Sequence, residues 1–259
     1  MAKAQHFYGI HAVQAILSER GVDASALWVQ DGRQNDSSVT PIIELAQVYG
    51  INVQIAGKDA LTKLADSPQH QGVVLQARPK PVGDDTDLAR LLQTARARQT
   101  PILLLLLDQI TDPNNLGACL RTAVAMGVTA VVVPKHHTSS LTPAVAKIAV
   151  GAAELMPLIQ VTNLARAMDA LKQDGVFIYG TALDDTAKPL AACDLTGDVA
   201  LVMGSEGEGI RRLTAERCDQ LVYIPMVGSA HGTIQSLNVS VATGMALYEA
   251  CRQRLATPQ

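Results

Sequence analysis

The run Ile102 to Leu107 constrains this chain most. Six consecutive aliphatic residues are too short to cross a membrane, which takes roughly 18 or more, and they carry no polar face. A strand with that composition is buried on both sides, as in a parallel sheet covered by helices. The segments after it keep to the plan. Leu116 to Met126 reads as a helix, Ala130 to Val133 as a strand and Pro143 to Val150 as a helix. Leu155 to Ile159 reads as a strand, followed by a helix capped by Asn163 and running to Lys172. Val176 to Tyr179 and Val199 to Met203 are further strands, Arg211 to Cys218 a helix, Leu221 to Ile224 the last strand, and Leu237 to Arg254 the closing helix. Alternating strands and helices predict an α/β domain with a parallel sheet over residues 99–259.

The N-terminal part has a different texture. Helical spacing at Ile10, Val13, Ile16 and Leu17, strand candidates at 26–29, 51–55 and 73–75, and helices at 41–49 and 58–64 predict a small α/β domain over residues 1–78. Two prolines, a glycine and three acids between Pro79 and Asp87 read as a linker, so that residues 79–98 comprise this linker and a lead-in helix from Leu88 to Arg98.

Composition narrows the function. Hydrophobic residues make up 48% of the 259 and charged residues 17%, which favours packed domains over disorder. The start Met1-Ala-Lys-Ala-Gln-His lacks the apolar run of a secretion signal, so a cytoplasmic protein without a membrane anchor is expected. Cys119, Cys193, Cys218 and Cys251 stand apart from one another and from any histidine at ligand spacing, so no metal site is expected. The net charge is −3, and residues 1–80 balance seven Lys/Arg against seven Asp/Glu. A nucleic-acid partner therefore has to be met by a local cationic surface rather than by a broad field.

Three stretches carry chemistry. Asp108 to Thr122 follows the buried strand, where open α/β folds hold ligands. In it Asn115 reads either as a helix cap or as a binding residue. Arg121, among apolar and small neighbours, is expected to be partly buried and to need an anionic partner. Gly204-Ser-Glu206-Gly-Glu-Gly209 follows another strand; its glycines permit close approach to a ligand, but it matches neither a dinucleotide fingerprint nor a P-loop. Glu206 is the candidate partner for Arg121. Third, Ile224-Pro-Met226 leads to Ser236-Leu237-Asn238-Val-Ser240, where a single cap does not account for three polar side chains at one helix start.

In order and spacing, Asn115-x-Gly-x-x-x-Arg121, Met203-Gly-x-Glu206-x-x-Gly209-Ile210 and Ile224-Pro-Met…Ser236-Leu-Asn238-Val-Ser resemble the three motifs of the SpoU family of RNA ribose 2′-O-methyltransferases, across about residues 102–254. Pro113-x-Asn-Leu-Gly-Ala-Cys-Leu-Arg and Gly204-x-Glu-Gly-Glu-Gly-x-Arg-Arg are most similar to members that methylate a guanosine in the peptidyl-transferase region of 23S ribosomal RNA. The resemblance implies a C-terminal domain with a trefoil knot, S-adenosylmethionine bound bent within it, a homodimer, and an RNA-binding N-terminal domain of the L30e/L7Ae type. It implies that Arg121 stands beside the ribose 2′-OH with Glu206 orienting it, that Asn115 positions the ribose or backbone, and that Ser236 and Asn238 shape the reacting end. Backbone groups at Gly204, Ile224, Met226 and Leu237 would hold the cofactor. Arg20, Arg33, Lys58 and Lys63 are the expected RNA contacts of the N-terminal domain. The stretch between Met226 and Ser236 is longer than in the family, which raises the question of a part for His231 or Thr233. Two other readings stay open: a transfer-RNA guanosine as substrate, and a non-catalytic RNA-binding or ribosome-assembly protein on the same fold.

Overall fold

A computed structural model describes residues 3–136, 138–139, 141–205, 207, 209–228 and 236–256. In chain order it comprises β1 (Gln5–Tyr8), α1 (Ile10–Arg20), β2 (Ala24–Gln30), α2 (Thr40–Val48), β3 (Asn52–Ala56), α3 (Lys58–Ala65), β4 (Val73–Ala77), α4 (Asp85–Ala97), β5 (Leu103–Leu107), α5 (Pro113–Ala125) and β6 (Ala130–Pro134). There follow α6 (Pro143–Ile148), α7 (Ala152–Leu155), β7 (Leu158–Val161), α8 (Leu164–Gln173), β8 (Phe177–Thr181), β9 (Lys188–Pro189), β10 (Val199–Met203), α9 (Arg212–Arg217), β11 (Gln220–Tyr223) and α10 (Val239–Ala256).

The chain divides into two compact units. One takes residues 1–81 together with 140–155; the other takes 82–139 and 156–259. In the first, a four-stranded sheet runs in the order β1-β4-β2-β3. β4 is antiparallel to both neighbours, and β2 and β3 are parallel. β1, which the sequence reading did not include, pairs with β4 from Gln5↔Ala77 to Tyr8↔Val74. The stretch 140–155 was expected in the C-terminal domain, as one helix and the start of a strand. Instead α6 and α7 form, and their apolar residues Val145, Ala146, Ala149, Ala152 and Ala153 are buried. Arg20 joins this segment to α1: its Nε donates to Glu154 Oε2 at 2.6 Å and its Nη2 to Glu154 Oε1 at 3.1 Å.

The second unit is a seven-stranded parallel sheet in the order β7-β6-β5-β10-β8-β11-β9. β5, β6 and β10 are wholly buried, as the apolar runs demand. The acids of the supposed linker begin a helix. Asp84 Oδ1 accepts from the amides of Thr86 and Asp87, while Asp87 Oδ2 accepts from the amide of Asp84. This reciprocal capping starts α4 three residues earlier than expected.

Candidate active site

The carboxyl ends of β8, β10 and β11 frame a cleft of about 470 Å³. Gly204, Ile224, Met226 and Leu237 all line it, and so does Ser236. Its remaining walls include Thr181, Met203, Ile210 and Val239, so the lining is largely aliphatic with backbone and a few hydroxyls exposed to it. This is the edge at which open α/β sheets hold ligands.

Gly204 is required by the wall of this cleft. A β-carbon there would lie 2.0 Å from the carbonyl carbon of Gly209 and 2.2 Å from the amide nitrogen of Ile210. The loop closes on itself through Ser205 N to Gly209 O and Gly209 N to Ser205 O, both 3.0 Å. Gly207 and Gly209 take φ of 88° and 69°, which glycine adopts without steric cost. Glu206 falls outside the described residues, and so do His231 and Thr233.

The first and third stretches meet directly. Asn238 Nδ2 donates to Asn115 Oδ1 at 3.0 Å. The cap of α5 is Asp112, whose carboxylate accepts from Asn114 N at 3.0 Å. Asn115 is therefore not the cap of α5; its side chain reaches across to the other stretch. Asn238 itself caps α10. Its Oδ1 accepts from Ser240 N at 3.0 Å, Ser240 Oγ at 2.6 Å and Val241 N at 3.4 Å. The helices continue side by side, with Cys119 Sγ 3.6 Å from Thr243 Oγ1.

Arg121 corrects an expectation. It is exposed, not partly buried, and among the described residues its guanidinium has no hydrogen bond or ion pair and does not line the cleft. The cause is helical geometry. The buried residues of α5 are Leu116, Gly117, Cys119, Leu120 and Ala123. At about 100° per residue, Arg121 points to the opposite side of their centre.

The sequence reading missed one pair. Asp108, fully buried, directly follows β5; its Oδ2 accepts from Arg211 N at 3.0 Å and its Oδ1 from Arg211 Nε at 2.9 Å, with Arg211 Nη2 2.7 Å from Oδ1 in the ion pair. An acid directly after five leucines was the available signal. The thiols offer no base: burial pushes Cys119 up to about 11 and Cys218 up to about 12. Among the described residues no group of His, Cys, Asp or Glu is arranged to hold a metal, and no helix is long and apolar enough to cross a membrane.

Residues 102–248 match the model of the SpoU rRNA methylase family, and residues 7–82 match that of RNA 2′-O ribose methyltransferase substrate binding. The chain belongs to the SpoU rRNA methylase family. It is 51% identical over 256 residues to the 23S rRNA (guanosine-2′-O-)-methyltransferase RlmB of Acinetobacter baylyi, covering 98% of this chain and 100% of that protein. To the RlmB of Shewanella oneidensis it is 46% identical over 254 residues, covering 98% and 99%. Its fold is that of the SpoU methyltransferase AviRb from Streptomyces viridochromogenes in complex with S-adenosylmethionine, with a TM-score of 0.77 at 22% identity over 98% of this chain and 92% of that one. The S-adenosylmethionine-bound rRNA methyltransferase from Sinorhizobium meliloti gives 0.74 at 21% identity, over 96% and 87%.

Proposed function

We propose that this protein transfers a methyl group from S-adenosylmethionine to the ribose 2′-OH of a guanosine in the peptidyl-transferase region of 23S ribosomal RNA. The observation that carries the reading is convergence. Segments around residues 204, 224 and 238 line one cleft, Asn115 is bonded to Asn238 beside it, and full-length relatives at 51% and 46% identity bear the name of a 23S guanosine 2′-O-methyltransferase.

The residues present fit the donor. A volume of 470 Å³ lies within the roughly 300–1,000 Å³ common for small-molecule sites. The aliphatic walls suit an adenine and a thioether-like chain, and Gly204 leaves backbone open where any side chain would collide with the loop. Gly204, Ile224, Met226 and Leu237 would hold the cofactor through backbone groups. S-adenosylmethionine, when bound, supplies an electrophilic methyl group on a sulfonium.

The chain supplies alignment and charge. Holding two reactants in line is worth roughly 7–11 kcal/mol in well-oriented systems. In this reading the exposed guanidinium of Arg121 meets the RNA, anchoring a phosphate and stabilising negative charge as the 2′-oxygen loses its proton. It does not take that proton, because an arginine stays charged in proteins. Asn115, fixed by Asn238, positions the ribose or backbone, and Ser236 shapes the reacting end from the cleft wall. The orienting part given to Glu206 belongs to the same proposal.

The wider arrangement is proposed with it. The N-terminal unit binds RNA, through Arg33, Lys58 and Lys63; Arg20 is withdrawn from that role by its buried pairing with Glu154. The protein acts in the cytoplasm as a homodimer, and its C-terminal segment is threaded as a trefoil knot. One side of α10 supports the dimer: Val241, Met245 and Tyr248, spaced at helical intervals, are 52%, 45% and 60% exposed. Large apolar side chains aligned on one helix face favour a protein partner.

Mapping ribose methylation in total RNA from cells with and without the gene tests the function. One 23S guanosine should lose its 2′-O-methyl group in the deletion and regain it with the gene restored. An unchanged 23S map, or a loss confined to transfer RNA, would overturn the reading.

A further inference from the structure

The loop that walls the cleft is closed on itself between Ser205 and Gly209 by a reciprocal pair of backbone hydrogen bonds, and Gly207 and Gly209 both take positive φ. Both ends of the loop are anchored. Gly204 continues directly from β10. Arg211 is held by Asp108, whose buried carboxylate accepts hydrogen bonds from the main-chain amide and Nε of this one residue and forms an ion pair with its guanidinium. The main-chain contact matters, because it fixes where the loop backbone ends as well as where the side chain lies.

The main chain of Asp108 is in turn tied to the neighbouring strand. Asp108 N donates to Met203 O at 2.8 Å, joining the ends of β5 and β10. The next residue, Gln109, adopts φ of 63°, a left-handed conformation unusual for a side chain-bearing residue and one that persists only when its surroundings hold it. From there the chain reaches Asp112 and α5, which carries Asn115 and Arg121. A buried ion is expensive unless fully partnered. An apolar residue would serve the core better at the end of a leucine strand, and an acid there makes sense as a junction between the two loops.

We infer that Asp108 and Arg211 are a positioning pair for methyl transfer: their ion pair sets the 204–210 loop in the form that accepts the donor and holds the lead-in to α5 in register with it. The inference rests on the reading of the cleft as the donor site. Arg211 is about two-fifths exposed, so substituting it leaves the core intact. Its neighbour Arg212, 92% exposed and paired with Glu216 at 3.6 Å, offers the same charge change without the junction.

The experiment compares wild type, Arg211→Met, Arg211→Lys and Arg212→Met by calorimetric titration with S-adenosylmethionine, thermal melting, and methylation kinetics on ribosomal RNA. Arg211→Met should weaken donor binding about ten-fold or more at temperatures where it is fully folded and lower kcat as well, with a smaller effect on the KM for RNA. Arg211→Lys, which keeps the charge and the amide contact but not the fork, should fall between it and wild type. Arg212→Met should bind donor like wild type. Asp108→Asn, the more disruptive change, should reproduce Arg211→Met if it folds. A folded Arg211→Met that binds donor within two-fold of wild type would overturn the inference and leave the functional reading standing. Wild-type protein that does not bind the donor would overturn both.

Discussion

The side-chain amide of Asn238 donates to the side-chain oxygen of Asn115 at 3.0 Å, joining residues 123 positions apart. The bond ties the starts of α5 and α10 together, while Asn238 Oδ1 caps its own helix. One residue thus has two separable duties. Asn238→Asp should keep the cap, since aspartate caps as well as asparagine, but place a carboxylate against Asn115 Oδ1. Its stability in urea should change little, while methylation falls at least ten-fold. Asn238→Ala should lose both duties and about 1 kcal/mol of stability. Equal methylation by wild type and Asn238→Asp would show that the asparagine pair is dispensable.

Gly204→Ala tests the wall of the cleft. Its new β-carbon would meet the main chain of Gly209 at 2.0 Å and cannot be relieved by moving a flexible side chain. Overpacking of this kind costs about 1–3 kcal/mol, and the loop must open to accept it. Melting should fall by a few degrees, and S-adenosylmethionine affinity by an order of magnitude or more. Calorimetry showing unchanged affinity would mean that this loop does not shape the donor site.

Arg20 and Glu154 form a nearly dry pair within the N-terminal unit, their side chains 11% and 4% exposed. Removing one partner of a buried pair leaves a stranded charge and typically costs 3–5 kcal/mol. Glu154→Ala should therefore lower the denaturation midpoint strongly and expose residues 140–155 to hydrogen exchange. A melt matching wild type would place the pair among those that contribute nothing to stability.

His70 makes stability pH-dependent. It is 1% exposed, its Nδ1 accepts from Gly72 N at 3.0 Å, and its Nε2 lies 3.3 Å from Thr62 Oγ1. Burial, and then the charges of Lys58, Lys147 and Arg33, hold its pKa below the usual 6.5. The unfolded chain therefore takes up the proton first, and stability falls as pH drops below about 6.5. Unfolding free energies at pH 7.5 and 5.5 should differ for wild type by more than for His70→Gln. Identical pH dependence in the two would remove His70 as the cause.

Much of the sheet was legible because its strands are written in one kind of residue. Leu103 to Leu107 admits no other placement than a covered parallel strand. β1 was not legible, since four residues with a histidine among them give no period. The segment 140–155 shows a different limit: its pattern says that Val145, Ala146 and Ala149 are buried, but not in which unit. The exposure of Arg121 was not legible, because its apolar neighbours in sequence lie on the other side of the helix. Asn115 and Asn238 stand out in their motifs, but their mutual bond spans 123 residues and leaves no local trace, and Asp108, marked only as an acid after five leucines, gives no sign that its partner is Arg211, 103 residues on.

The most direct test of the account is Arg121→Ala, assayed by single-turnover methylation of 23S ribosomal RNA alongside titration with S-adenosylmethionine. Because Arg121 is exposed and does not line the cleft, the variant should fold and bind the donor as wild type does. Methyl transfer should fall by at least a hundred-fold. Transfer at close to the wild-type rate would contradict the proposed role of the guanidinium at the sugar oxygen.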